Sequence, residues 1–188
     1  MTEAIALLEI ASLARGVVCA DAAVKRAPVE LLLCEAVSPG KYLLLFGGGV
    51  AEVGEALQAA DEVAGSSKID KLWLPQAHPQ LMPALRAGAS GLAEKAAAHS
   101  GASVGVIELM TVAAALKAAD AACKAANVDL QMLHIAKGIG GKAWFVLRGE
   151  LPDVEAAVTA AQQSASEGMI AGAEIIARPH ADLRGRAL

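Results

Sequence analysis

Two glycine-rich turns carry the residue types in this chain that could do chemistry. "AVSPGKYLLLFGGGV", residues 36–50, sets Val37 and Ser38 before Pro39, Gly40 and Lys41. "KGIGGKAWFVLRGEL", residues 137–151, sets Gly138, Ile139, Gly140 and Gly141 before Lys142. Glycines ending in a lysine invite a phosphate-loop reading, but that loop is G-x-x-x-x-G-K-[ST] between a strand and a helix. Here Ala143 follows the lysine and an apolar strand pattern follows Ala143. The exposed N–H groups of such turns still suit polar or anionic solutes. Ser38 is a good turn starter, and its hydroxyl can both give and accept hydrogen bonds. It is a poor ligand for an iron–sulfur cluster, which thiolates hold. Cys34 lies four residues earlier, inside a strand pattern and away from the turn tip.

The remaining reactive types do not assemble into a site. His78 and His180 close the matched segments "KLWLPQAH" and "EIIARPH", with no neighbouring ligand cluster. They read as turn or edge residues. Glu9 and Glu108, like Asp21 and Asp120, could suggest acid–base work. Their recurrence at equal places in two halves fits structural capping or edge bonding better. No Ser-His-Asp or Cys-His set can be built, so no catalytic residue, metal ligand or cofactor is assigned. The chain is expected not to be an enzyme. Cys19, Cys34 and Cys123 are an odd, scattered set without CxxC spacing. They read as buried thiols of a reducing cytoplasm.

The elements that hold the turns come in two copies. "AIALLEIASLARGVVCADAAVKRAPVEL" from Ala4 matches "SVGVIELMTVAAALKAADAACKAANVDL" from Ser103. Glu9 aligns with Glu108, Asp21 with Asp120, Lys25 with Lys124 and Val29 with Val128. Gly40-Lys41 then aligns with Gly141-Lys142, and Gly48 with Gly149. In each copy an apolar strand precedes an N-cap, Ser12 or Thr111. Apolar residues at helical spacing follow: Leu13, Val17 and Val24, or Val112, Leu116 and Cys123. Two strands flank each turn. A second helix follows; in the first copy it sets Val50, Val53, Leu57 and Val63 on one face and stops at Gly65. The second copy opens this helix with Leu151-Pro152-Asp153. The order β-α-β-β-α-β predicts a ferredoxin-like α/β (α+β) sandwich, twice. The expected boundaries are 1–80, a linker over 81–102 rich in Ala, Pro, Gly and Ser, and 103–188.

Composition narrows the classes further. Of 188 residues, 55% are hydrophobic and only 3% aromatic, with a net charge of −4. Without a basic run or stacking aromatics, nucleic acid is not an expected partner. No apolar run approaches the ~20 residues of a membrane span. The acidic start "MTEAIALLEI" lacks the basic region of a signal peptide.

The repeated pattern, from "LLEI" and "VIEL" through "SPGK" and "GIGGK" to the closing histidines, resembles the bacterial microcompartment shell domain. Two copies resemble the tandem-domain, trimer-forming shell proteins, unpermuted, and most of all those of propanediol-utilising microcompartments. The resemblance implies a structural protein: a pseudohexameric homotrimer forming a flat tile of a shell within the cytoplasm. Such tiles join other shell hexamers and pentamers edge to edge around enclosed enzymes. It implies that Val37, Ser38, Pro39, Gly40, Gly138, Ile139 and Gly140 line a small central pore for metabolites. It implies that Lys25, Lys124, Arg178 and His180 lie at the tile edge. In close relatives the first turn carries a cysteine that holds an iron–sulfur cluster on the threefold axis. Ser38 stands there in this chain, which disfavours the alternative of an electron-transfer subunit.

Overall fold

The computed structural model describes residues 4–86, 90–92 and 103–183. Residues 87–89 and 93–102 of the expected linker lie outside the described residues. The chain forms two compact units. The first is Met1–Pro79 with Ala136–Gly141, and the second is Gln80–Ile135 with Lys142–Leu188.

The first unit runs β1 (Ala4–Ile10), α1 (Leu13–Arg26), β2 (Glu30–Val37), β3 (Lys41–Gly48), α2 (Val50–Ala64) and β4 (Lys68–Leu74). This is the predicted βαββαβ order. The strands form one antiparallel sheet in the order β2-β3-β1-β4, so the first strand lies between the third and the last. A strand with neighbours on both edges and side chains buried on both faces reads as a continuous apolar run. In "AIALLEI" every residue is buried, Glu9 included. Ala4, Ala6, Leu8 and Ile10 share one face with Tyr42, Leu44 and Phe46, against Cys19, Ala23, Val53, Ala56 and Ala60 of the two helices.

The caps follow the sequence. Ser12 Oγ accepts from Arg15 N at 3.3 Å, and Thr111 Oγ1 accepts from Ala114 N at 3.1 Å. Each satisfies one of the first-turn donors that a helix leaves unpaired. Gly65 ends α2 with φ +51°, a conformation open to glycine at little cost.

Two helix faces differ from expectation. On α1 the apolar stripe is not the core face. Leu13, Val17 and Val24 are 56%, 54% and 43% exposed, whereas Gly16, Cys19 and Ala23 are buried. The reason is close approach: a Cβ on Gly16 would run into the ring of Tyr42. The helix therefore turns its small residues to the sheet and leaves its larger ones outside. On α2, Val53 and Leu57 are buried, but Val50 at the helix start is exposed.

The second unit contains α3 (Leu81–Arg86), β5 (Ser90–Leu92), β6 (Ser103–Leu109), α4 (Val112–Ala125), β7 (Asp129–Ile135), β8 (Ala143–Gly149), α5 (Leu151–Ser164) and β9 (Ile170–Ile176). Its sheet order is β5-β7-β8-β6-β9. The last four strands repeat the first unit's order, and β5 pairs with the outer edge of β7. The repeat extends to its irregularities. Register shifts fall between Glu9 and Ile10 and between Leu31 and Leu33, and again between Glu108 and Leu109 and between Leu130 and Met132. Bulges at matched places mark two copies of one design rather than two similar topologies.

Candidate functional site

Each turn is built by the strands around it. β2 ends at Val37, which is buried, and Gly40 N donates back to Val37 O at 2.9 Å. Ser38, Pro39 and Gly40 are exposed between them, the Ser38–Pro39 peptide is cis, and Gly40 has φ +104°. The second turn uses left-handed glycines instead: Gly138, Gly140 and Gly141 have φ +74°, +65° and +77°. Gly138 and Gly140 are exposed and Ile139 is half-buried.

The first unit takes in Ala136–Gly141, so both turns belong to one compact body. Gly141 is buried there. A Cβ on it would lie 3.0 Å from Ser38 O and 3.1 Å from Pro39 Cδ, so its place needs glycine for space as well as for φ. Lys41 Nζ donates to Gly141 O at 3.5 Å and to Glu9 Oε2 at 3.0 Å. Glu35 and Lys137 form a further ion pair at 3.0 Å within this body.

The Glu9–Lys41 pair is one that the sequence pattern of the turns did not assign. Glu9 is fully buried on β1 and faces Leu43 of β3; Lys41, two residues before Leu43, reaches diagonally to it. The second copy repeats the device: Glu108 faces Trp144, and Lys142 Nζ lies 2.5 Å from Glu108 Oε1. A buried carboxylate persists only when a cation and hydrogen bonds compensate its lost hydration. The signal was present in the alignment of the copies, which pairs Glu9 with Glu108 and Gly40-Lys41 with Gly141-Lys142. What was missing was the register that brings them together.

An iron–sulfur cluster does not fit the first turn. Ser38 offers a hydroxyl where the cluster needs thiolate. Cys34 stands on β2, away from the turn tip, and is exposed rather than buried as expected, unlike Cys19 and Cys123. Burial, with Asp120 and Asp129 adding to it, pushes the Cys123 thiol up to about 12, far from thiolate at neutral pH. Among the described residues no three His, Cys, Asp or Glu side chains are grouped to hold a metal ion.

The expected edge residues fall at helix and strand ends. Lys25 and Lys124 occupy the last turns of α1 and α4, where a cation complements the helix dipole. Each pairs with the aspartate four residues before it: Lys25–Asp21 at 2.7 Å and Lys124–Asp120 at 2.6 Å. Asp120 is buried, whereas the Asp21 side chain is 55% exposed, so the two copies present this pair differently. Arg178 is exposed with φ +56°, uncommon for a residue with a side chain, and Pro179 after it is buried. His180 is exposed, and its Nδ1 accepts from Asp182 N at 3.3 Å.

Comparison with known proteins agrees with the fold and the repeat. The BMC domain family matches twice, over residues 4–77 and 103–179. The chain is 41% identical over 181 residues to the bacterial microcompartment shell protein PduT of Citrobacter freundii, covering 96% of this chain and 95% of that one. It is 39% identical over 83 residues to the carboxysome shell protein CcmK2 of Synechococcus elongatus, covering 43% of this chain and 79% of that one. The crystal structure of a microcompartment protein from Desulfitobacterium hafniense DCB superposes with a TM-score of 0.84 at 38% identity, covering 97% of this chain and 98% of that one. The chain belongs to the bacterial microcompartment shell protein family, with two BMC domains in tandem. Its role is that of a shell tile, not an enzyme.

Proposed function

We propose that three copies of this chain form a closed, near-sixfold tile, with the 37–40 and 138–140 turns around a small central pore. The observation that carries this is the doubling itself, together with the gathering of both turns into one compact body. Two equivalent domains per chain give a six-domain disc when the chain is used three times. The pore is then threefold, and its two turns differ: Ser38 is its polar contribution and Ile139 its apolar one. Small polar metabolites suit such an opening, because hydroxyls and backbone N–H groups can replace part of their hydration. The tile belongs in a shell within the cytoplasm, edge to edge with shell hexamers and pentamers, around enclosed enzymes. Among the described residues no helix is long and apolar enough to cross a membrane. Native mass spectrometry and light scattering should give three chains per particle. A stable single chain at micromolar concentration would sink the reading.

The lateral contacts of the tile are assigned to Lys25, Lys124, Arg178 and His180. Lys25→Asp with Lys124→Asp puts acid beside Asp21 and Asp120 and reverses the charge offered to a neighbouring tile. Like charges facing one another across an interface disfavour pairing. The variant should keep its native mass yet form no sheets by electron microscopy. Sheets as extensive as those of the unaltered protein would remove these lysines from the edge.

A further inference from the structure

The two copies differ most in what covers one trough. In the second unit α3 packs on β7 and α4. Its Leu81, Met82 and Leu85 are buried, Leu81 completely. Gln80, just ahead of the helix, clamps the start of β7: its Nε2 donates to Val128 O at 2.8 Å, and its Oε1 accepts from Leu130 N at 2.7 Å. Leu130 is only 2% exposed, and Val112 and Leu116 on α4 are fully buried.

The first unit has the same trough, and its apolar lining is open. Leu31, the counterpart of Leu130, is 44% exposed. Leu13 and Val17, counterparts of Val112 and Leu116, are more than half exposed. Leu31 lies opposite Phe46 as Leu130 lies opposite Leu147, so the two leucines hold equal places on their strands. Covering apolar surface of this kind is favourable by about 25 cal/mol per Å².

The repeat also supplies the occupant. The second unit's trough is filled by Gln80 and α3, which follow β4 in the order His78-Pro79-Gln80-Leu81. The same place after β9 reads His180-Ala181-Asp182-Leu183. Leu183, the counterpart of the fully buried Leu81, is 40% exposed in a short 3-10 turn. We infer that Asp182 and Leu183 of one copy dock into the trough between α1 and β2 of a second copy, as Gln80 and Leu81 dock beside β7. This rests on the trimer reading above and names the contact that would close it. The contact joins two different surfaces, so it closes only when repeated around a ring. It is also one hydrogen bond poorer than its counterpart. The Asp182 carboxylate accepts from Leu31 N as Gln80 does from Leu130 N, but it has no proton to donate to Val29 O.

Cross-linking tests the contact apart from the trimer. In a Cys34→Ser background, Leu31→Cys with Asp182→Cys should be joined by a short bis-maleimide into species of two and three chains on a denaturing gel. Linked product confined to single-chain mass would place the segment on its own chain and overturn the inference. A native trimer that yields no linked chains would overturn it too, while leaving the trimer standing. A native mass of one chain would defeat both. In a separate variant, Leu183→Glu forces a charge into the apolar trough, which is costly without a partner. Its half-dissociation concentration should rise by at least about tenfold. The circular dichroism and melting of the dissociated chain should stay unchanged, because Leu183 is partly exposed there. A Leu183→Glu trimer as tight as the unaltered one would exclude the docking.

Discussion

Lys41→Met should destabilise the first unit by about 3 kcal/mol, the range expected when one partner of a buried ion pair is removed. The Glu9 side chain is fully buried and that of Lys41 is 15% exposed, so water cannot replace the lost cation. Lys41 also holds Gly141 O, and its loss should loosen the 136–141 turn against the Ser38 turn. The matched change Lys142→Met should cost about 1 kcal/mol, because Glu108 and Lys142 are each about one-third exposed and their pair is screened. Lys25→Met, at a pair open to solvent, should cost less still. Urea midpoints for the three variants give the order directly. The double change Glu9→Gln with Lys41→Met should recover part of the loss, since no charge then stays buried. If Lys41→Met costs no more than Lys142→Met, the buried pair is not what anchors the turn.

Ser38→Cys should turn a colourless tile into an iron-binding one. Three copies around an axis would bring three thiols together at the turn tips, and cubane clusters are thiolate-held. Anaerobic reconstitution with iron and sulfide should give visible absorption and roughly one cluster per three chains, while the serine form takes up none. Folding should be unaffected, because Ser38 is exposed at the tip and lies outside the core. Ser38→Leu at the same place should narrow and dry the opening. A Ser38→Cys trimer that stays colourless would move the turns away from the axis, even with the tile intact.

Features set by neighbours along the chain were legible before any coordinates. The βαββαβ order of each copy, the Ser12 and Thr111 caps, the Gly65 stop and the two turns all follow from periodicity and turn chemistry, and the structure contains them; the expected linker over 81–102 instead carries α3 and β5, which belong to the second unit. The repeat added more than either copy alone could. It aligned Glu9 with Glu108 and Lys41 with Lys142, which the register later made into pairs. The family was legible for the same reason, since its motifs lie in order along the chain, twice.

Packing settled which side of α1 faces the sheet. Periodicity found Leu13, Val17 and Val24 on one stripe, but a stripe does not say what covers it. Gly16, Cys19 and Ala23 let α1 approach Tyr42 closely, and that packing outweighed the larger side chains opposite. It likewise settled that Glu9 meets Lys41, that Gly141 lies against Ser38 O, and that Gln80 and α3 cover β7. Each depends on two segments far apart in sequence meeting at one register. Burial is a property of the pair, and the sequence around either partner carries only half of it.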